Sequence, residues 1–211
     1  MIEKQDWGII DYQEAWDKQR ELVADIQTKR NRSVLVLCEH PSVITIGKTG
    51  SQSNVVSNPS FLESLGIKVV EIDRGGDVTL HNPGQLVGYP IFDLMTFKQD
   101  LHWFLREIEE CIIELIALYG LKGHRIDGLT GVWIENKRKI CAIGMHCSRW
   151  VTSHGFALNV NNNLDEFTFI VPCGITNKEV TSIGREIGTH IDMDIIKDQC
   201  TNIFQKRFQV L

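Results

Sequence analysis

The chain has 211 residues, a formal net charge of −5, and 43% hydrophobic against 23% charged residues. That balance is of a one-domain globular protein, residues 1–211, large enough to bury a real core. Its acidity excludes general affinity for nucleic acid or an anionic membrane surface, and no apolar run approaches the roughly 20 residues that span a bilayer.

The N-terminus, Met1-Ile-Glu-Lys-Gln-Asp, is polar and lacks the apolar segment of a signal peptide. A cytoplasmic protein is expected, with its six cysteines held as thiols. None forms a Cys-x-x-Cys pair, which argues against zinc or dithiol chemistry.

Residues 11–30 predict an amphipathic helix with Trp16, Leu22, Val23 and Ile26 on its buried side. Strands are expected at 33–38 and 42–48, separated by Glu39-His-Pro41, and then a Gly/Ser/Asn-rich mobile loop at 49–58. Asn58-Pro59 opens a short helix that Gly66 ends, and 67–72 reads as a strand. Strands at 77–82 and 85–92 flank Asn82-Pro83-Gly84. Leu101, Phe104, Leu105, Ile108, Ile112, Leu115 and Ile116 recur at helical spacing within 100–118, with Gly120 as the stop. Three strands follow at 130–135, 138–147 and 151–160, the first two joined by a tight turn at Asn136-Lys137, and a last helix runs from about Asp192 to Phe208. Locally connected strands in the middle with helices outside predict an α+β fold with a mixed or antiparallel sheet.

Two stretches carry chemistry. Arg74-Gly-Gly-Asp-Val-Thr-Leu-His-Asn-Pro-Gly-Gln85 packs three glycines, an arginine and a histidine around one short alternation, more turn chemistry than a hairpin tip needs. Gly75 and Gly76 clear side chains where backbone approaches something closely. Arg74 either holds an anionic group or pins the loop to a neighbour, and His81 either polarises a carbonyl or is a satisfied buried imidazole. The second stretch, Pro172-Cys173-Gly174, puts a thiol in a sharp loop. A nucleophilic thiol needs a charged helper, because at a pKa near 8.5 it is only slightly ionised at neutral pH. The seven histidines and the run Lys137-Arg138-Lys139 are the candidates, and Lys139 stands out by opening the strand Ile140–Gly144.

These residues, taken with Leu86-Val-x-Tyr-Pro-Ile91, Gly131-Val-Trp133, Lys139-Ile-x-x-Ile-Gly144 and His154-Gly-Phe-Ala-Leu-Asn159, resemble the octanoyltransferases of lipoate biosynthesis over residues 5–208. The resemblance implies the α+β fold of the biotin and lipoate-protein ligase catalytic domains. It implies a catalytic pair, Cys173 and Lys139. It also implies substrate contacts at Arg74, Gly75, Gly76, Asp77, Val78, Thr79, Leu80 and His81, at Ala142, Ile143 and Gly144, and at Gly155, Phe156 and Ala157.

The implied reaction moves an octanoyl group from octanoyl-acyl carrier protein, through a thioester on Cys173, to a lysine of a lipoyl domain. The acceptors are the E2 subunits of 2-oxoacid dehydrogenases and the glycine cleavage H protein. No cofactor, metal, nucleic acid or membrane takes part, and a monomer is expected. An ATP-dependent lipoate ligase, an octanoyl amidotransferase between lipoyl domains and a non-catalytic carrier-binding module are the rival readings. Asn82 stands where the family usually has Gly, which predicts a left-handed backbone there. Leu80 stands where Tyr is common and is expected to alter packing around the acyl chain.

Overall fold

In this computed structural model, residues 2–30, 32–171 and 179–209 are described. The chain opens with β1 (Ile2–Ile9), an edge strand that the sequence does not announce, since only Ile2 is buried. Asp11 accepts from the backbone N–H of Gln13 and Glu14 and starts α1 (Tyr12–Lys29), which Arg30 closes at a φ of 51°. This helix turns Tyr12, Ala15, Gln19 and Ile26 inward, whereas Trp16, Leu22 and Val23 are half-buried. Next come β2 (Ser33–Glu39), β3 (Val43–Ile46), α2 (Pro59–Ser64), β4 (Lys68–Glu71), β5 (Val78–His81) and β6 (Gln85–Ile91). Asp100 caps α3 (Leu101–Ala117) by accepting from Trp103 N. Beyond it lie β7 (Gly123–Ile126), β8 (Leu129–Ile134), β9 (Arg138–Ser148), β10 (Val151–Asn159), β11 (Glu179–Val180), α4 (Ile183–Ile187) and α5 (Met193–Arg207). β7, β11 and α4, like β1, are short or weakly apolar and escape periodicity.

The large sheet runs β1-β2-β6-β10-β9-β8-β7, with β11 added on β9, and the small sheet runs β4-β3-β5. The pairs β1–β2, β11–β9 and β3–β4 are parallel and the others antiparallel, so the sheet is mixed and the fold α+β, as expected. On β2, Leu35 and Leu37 join the core that holds Phe104, Ile112 and Phe204 of α3 and α5. Val34, Val36 and Cys38 point the other way, into the core with Ala15 and Ile26 of α1. Burial on both faces explains why this strand reads as an unbroken apolar run. Among the described residues no helix is long and apolar enough to cross a membrane.

Two expectations about turns change. The 49–58 segment is tied down: Asn54 Nδ2 donates to Asp77 Oδ2 at 2.6 Å, Val56 N to Phe169 O at 2.9 Å, and Val171 N to Asn54 O at 2.8 Å. Asn82 is not left-handed. The positive φ in that turn belongs to Gly84, at 86°. Asn82 instead uses its amide, donating to Asn163 O at 2.8 Å and accepting from Asn162 Nδ2 at 2.9 Å.

Candidate active site

The two-residue turn at Arg149-Trp150, both at positive φ, sets the register of β9 against β10. That register puts Ala142 opposite Ala157, Ile143 opposite Phe156 and Gly144 opposite Gly155. Two blocks separated in sequence thus become one patch of sheet. Among the described residues β9 pairs with β8 only from Arg138 to Cys141, so at Ala142–Gly144 its outer edge carries no strand. The loop between β4 and β5 comes up to that edge: Gly75 N donates to Met145 O at 2.9 Å. The approach requires glycine on the strand, because a Cβ on Gly144 would stand 2.6 Å from Gly75 O.

A cavity of about 500 Å³ lies between this loop, the β9–β10 patch and the β7–β8 turn, within the size range of small-molecule sites. Arg74, Gly75, Gly76, Asp77, Val78, Thr79 and His81 line it, with Lys139, Ala142, Ile143, Gly144, Gly155, Phe156 and Ala157. Leu80 does not. It is fully buried in the small-sheet core with Ile44, Leu62 and Ile67, so the expected role beside the acyl chain is corrected. Cys173 lies outside the described residues.

Sequence reasoning missed several walls. Leu101 and Leu105 of α3, Gly128 of the β7–β8 turn, and Leu129 and Thr130 at the start of β8 also line the cavity. The leucines sat at helical spacing and read as core, and nothing in a hairpin turn signals a cavity.

The Arg74 guanidinium donates to Thr45 O and Thr45 Oγ1, each at 3.0 Å, and to Gly75 O at 3.1 Å. It pins the loop to β3. Behind it Asp73 accepts from His154 Nε2 at 2.7 Å. That hydrogen bond holds the Asp73 carboxyl down at about 2, and burial lowers the pKa of His154.

Tyr12, His81 and Tyr89 of the lining belong to a cluster of buried rings that includes His40. His81 stacks on Tyr12 with centroids 5.6 Å apart and meets the edge of His40 at 5.8 Å. Burial pushes His81 down to about 3 and His40 to about 4. The amide network assigns the His81 tautomer. Asn159 Nδ2 donates to Thr181 O, so its Oδ1 accepts from Gln85 Nε2 at 2.9 Å. Gln85 Nε2 also donates to Leu80 O, which leaves Gln85 Oε1 facing His81 Nδ1 at 2.8 Å. Nδ1 therefore carries the proton and Nε2 is an acceptor. Held in this way, His81 matches the satisfied buried imidazole, with Nε2 left as an acceptor. His40 is fixed in the same way, its Nδ1 donating to Ile10 O at 2.7 Å and its Nε2 accepting from Tyr89 OH at 2.6 Å.

Lys139, 8% exposed, brings a positive charge to the same cavity. Its backbone is gripped on both sides, by β8 through Trp133 and by β11 through Val180, and Thr181 N donates to Lys139 O at 2.9 Å. Among the described cysteines, burial raises the thiols of Cys38, Cys111, Cys141 and Cys200 well above the ordinary range, which makes them poor nucleophiles.

The fold, a mixed sheet flanked by helices, is that of the protein ligases of lipoate and biotin. The bi-partite lipoate protein ligase of Thermoplasma acidophilum superposes with a TM-score of 0.71 at 17% identity, over 98% of this chain and 84% of that one. The biotin protein ligase of Aquifex aeolicus gives 0.57 at 11% identity, over 97% and 69%. The chain matches the lipoyl protein ligase A/B catalytic domain over residues 11–205 and belongs to that family. Within it, the octanoyltransferase of Cytophaga hutchinsonii is 48% identical over 213 residues, covering 92% of this chain and 87% of that protein.

Proposed function

We propose that this chain is an octanoyltransferase, one catalytic domain over residues 1–211, that carries an octanoyl group from octanoyl-acyl carrier protein to a lysine of a lipoyl domain through a thioester on Cys173. The observation that carries the reading is the meeting of Lys139 with the Arg74–Thr79, Ala142–Gly144 and Gly155–Ala157 blocks around one cavity. Connectivity supports the nucleophile. Cys173 follows Val171, which is anchored to Asn54, by two residues, and six residues after it Glu179 enters the strand that pairs with Arg138 and Lys139.

In the first half-reaction the Cys173 thiolate attacks the carrier thioester carbonyl, the C–S bond to pantetheine breaks, and that thiolate leaves and takes up a proton. In the second, a lysine ε-amine of the lipoyl domain attacks the acyl-enzyme. Its proton passes to a base, the C–S bond to Cys173 breaks, and an amide forms. Thioester exchange is nearly isoenergetic and thioester-to-amide transfer runs downhill, so the reaction needs no ATP. The Lys139 ammonium favours the thiolate; as the free amine it accepts the proton in the second step. Val87, Leu101, Leu105, Leu129, Ile143 and Phe156 supply an apolar wall for the chain, where burial contributes about 0.8 kcal/mol per CH₂. The lipoyl domains of E2 subunits and of the glycine cleavage H protein are the acceptors, and the enzyme works as a cytoplasmic monomer.

The test is intact mass after incubation with octanoyl-carrier protein. A hydroxylamine-labile octanoyl adduct is expected on the wild type and absent from Cys173→Ser. An adduct that survives the substitution overturns the assignment. Lipoate attachment with ATP that survives Cys173→Ser points to a ligase instead.

A further inference from the structure

The β8–β9 ladder breaks its register beside Lys139. Val132 pairs with Cys141, but the next residue, Trp133, pairs with Lys139, so Ile140 has no partner across the ladder. This is a β-bulge, and a bulge re-aims the side chains around it. Its effect is visible in burial. Ile140 and Cys141 are adjacent, both fully buried and both in the core beneath α3 and α5, where an unbroken strand would send one of them to the other face. In regular alternation Lys139 would share the core side with Cys141. The extra residue turns it over, onto the cavity side with Ala142.

The partner strand supplies a seat. Trp133, 1% exposed, stands opposite Lys139, and the Lys139 Nζ lies 4.7 Å from its ring centroid. That is within cation–π range on a desolvated face. Two residues back, Gly131 at a φ of 124° leaves room, since a Cβ there would meet Cys141 O at 2.6 Å and Lys139 Cε at 3.6 Å. Gly131 N is fixed by the fully buried Glu109, to whose Oε1 it donates at 3.0 Å.

We infer that Trp133 is a positioning residue for the acyl transfer: its indole face holds the Lys139 ammonium at the cavity, with the Ile140 bulge aiming the side chain. The inference rests on the proposed roles of Lys139 and Cys173. A ring that only fills space would slow the enzyme equally at every pH. A ring that holds the charge matters only where the thiol needs that charge to ionise.

The experiment is the rate of octanoyl adduct formation from octanoyl-carrier protein, by intact mass on the full chain, from pH 6 to pH 10. For Trp133→Leu a rate about thirtyfold below wild type is expected at pH 7, as for loss of a desolvated cation–π contact. The deficit should close as the pH passes about 8.5, where an unaided thiol ionises. Trp133→Phe, which keeps a π face, should recover most of the rate. Fluorinated tryptophans placed at position 133 keep the shape and drain the ring face, and should slow the reaction in order of fluorine content at pH 7. They decide the matter if Trp133→Leu does not fold. A pH-independent deficit, or no effect of fluorination, overturns the role of Trp133. Lys139→Ala run alongside separates the two readings: if its own deficit is flat with pH, the role of Lys139 falls, whereas a pH-dependent deficit there with none in the Trp133 series overturns only the inference about Trp133.

Discussion

Acidification should destabilise this protein through two buried histidines, His81 on the cavity wall and His40 packed against it. His81 and His40 are buried as neutral rings, with pKa values pushed to about 3 and about 4 by burial, against about 6.5 in the unfolded chain. The folded values are depressed, so the stability they contribute is complete above pH 6.5 and is lost as pH falls from there toward the folded values. In that window the unfolded chain binds a proton at each site and the folded one does not. From pH 7 to pH 5 the loss is about 2 kcal/mol per histidine, about 4 kcal/mol for the pair. That is a large part of the 5–15 kcal/mol typical of a domain. His154, also lowered by burial, acts in the same direction. The assay is urea unfolding at pH 7, 6 and 5. Between pH 6 and 5 the His81→Gln variant should lose about 1.4 kcal/mol less per pH unit than wild type, one proton's worth. An identical slope in the two proteins refutes the argument. Carboxylates cancel in the comparison, since the lowered groups Asp73, Glu3 and Glu186 are the same in both proteins.

Two further substitutions test the frame around the cavity. Gly144→Ala places a methyl 2.6 Å from Gly75 O, so the loop must leave β9 at an overpacking cost of about 1–3 kcal/mol. Adduct formation should slow with it; an unchanged rate and melting temperature would show that the loop need not touch the strand. Glu109→Gln removes the buried carboxylate that accepts from Gly131 N, Arg106 and Arg125. A loss of about 2 kcal/mol in unfolding free energy is expected, and a stability equal to wild type would mean that solvent already screens the cluster.

Much of this was legible in the chain because local chemistry wrote it there. Asp11, Asn58, Asp100 and Asp192 are side-chain caps that start helices where they fall, and the tight turn expected at Asn136-Lys137 appears one residue earlier, with Glu135 and Asn136 at positive φ. Strands that bury little were silent. β1 is held by backbone pairing to β2 and has no apolar face to advertise it. Within the site, the motif glycines marked the loop, but Leu80 sat inside the same motif and faces the small-sheet core, because the motif's spacing carries no information about which side of β5 meets the cavity.

The sequence by itself determined the α+β class, the family and the residue types that chemistry at the site requires, since those depend on local spacing and composition. Only the tertiary structure decided which way each group faces. The β9–β10 register joined Ala142–Gly144 to Gly155–Ala157. The amide chain from Asn159 through Gln85 set the His81 proton on Nδ1. One unpaired residue, Ile140, turned Lys139 from core to cavity. Each of these is a long-range pairing, and nothing local to a residue encodes the partner that a folded neighbour will supply.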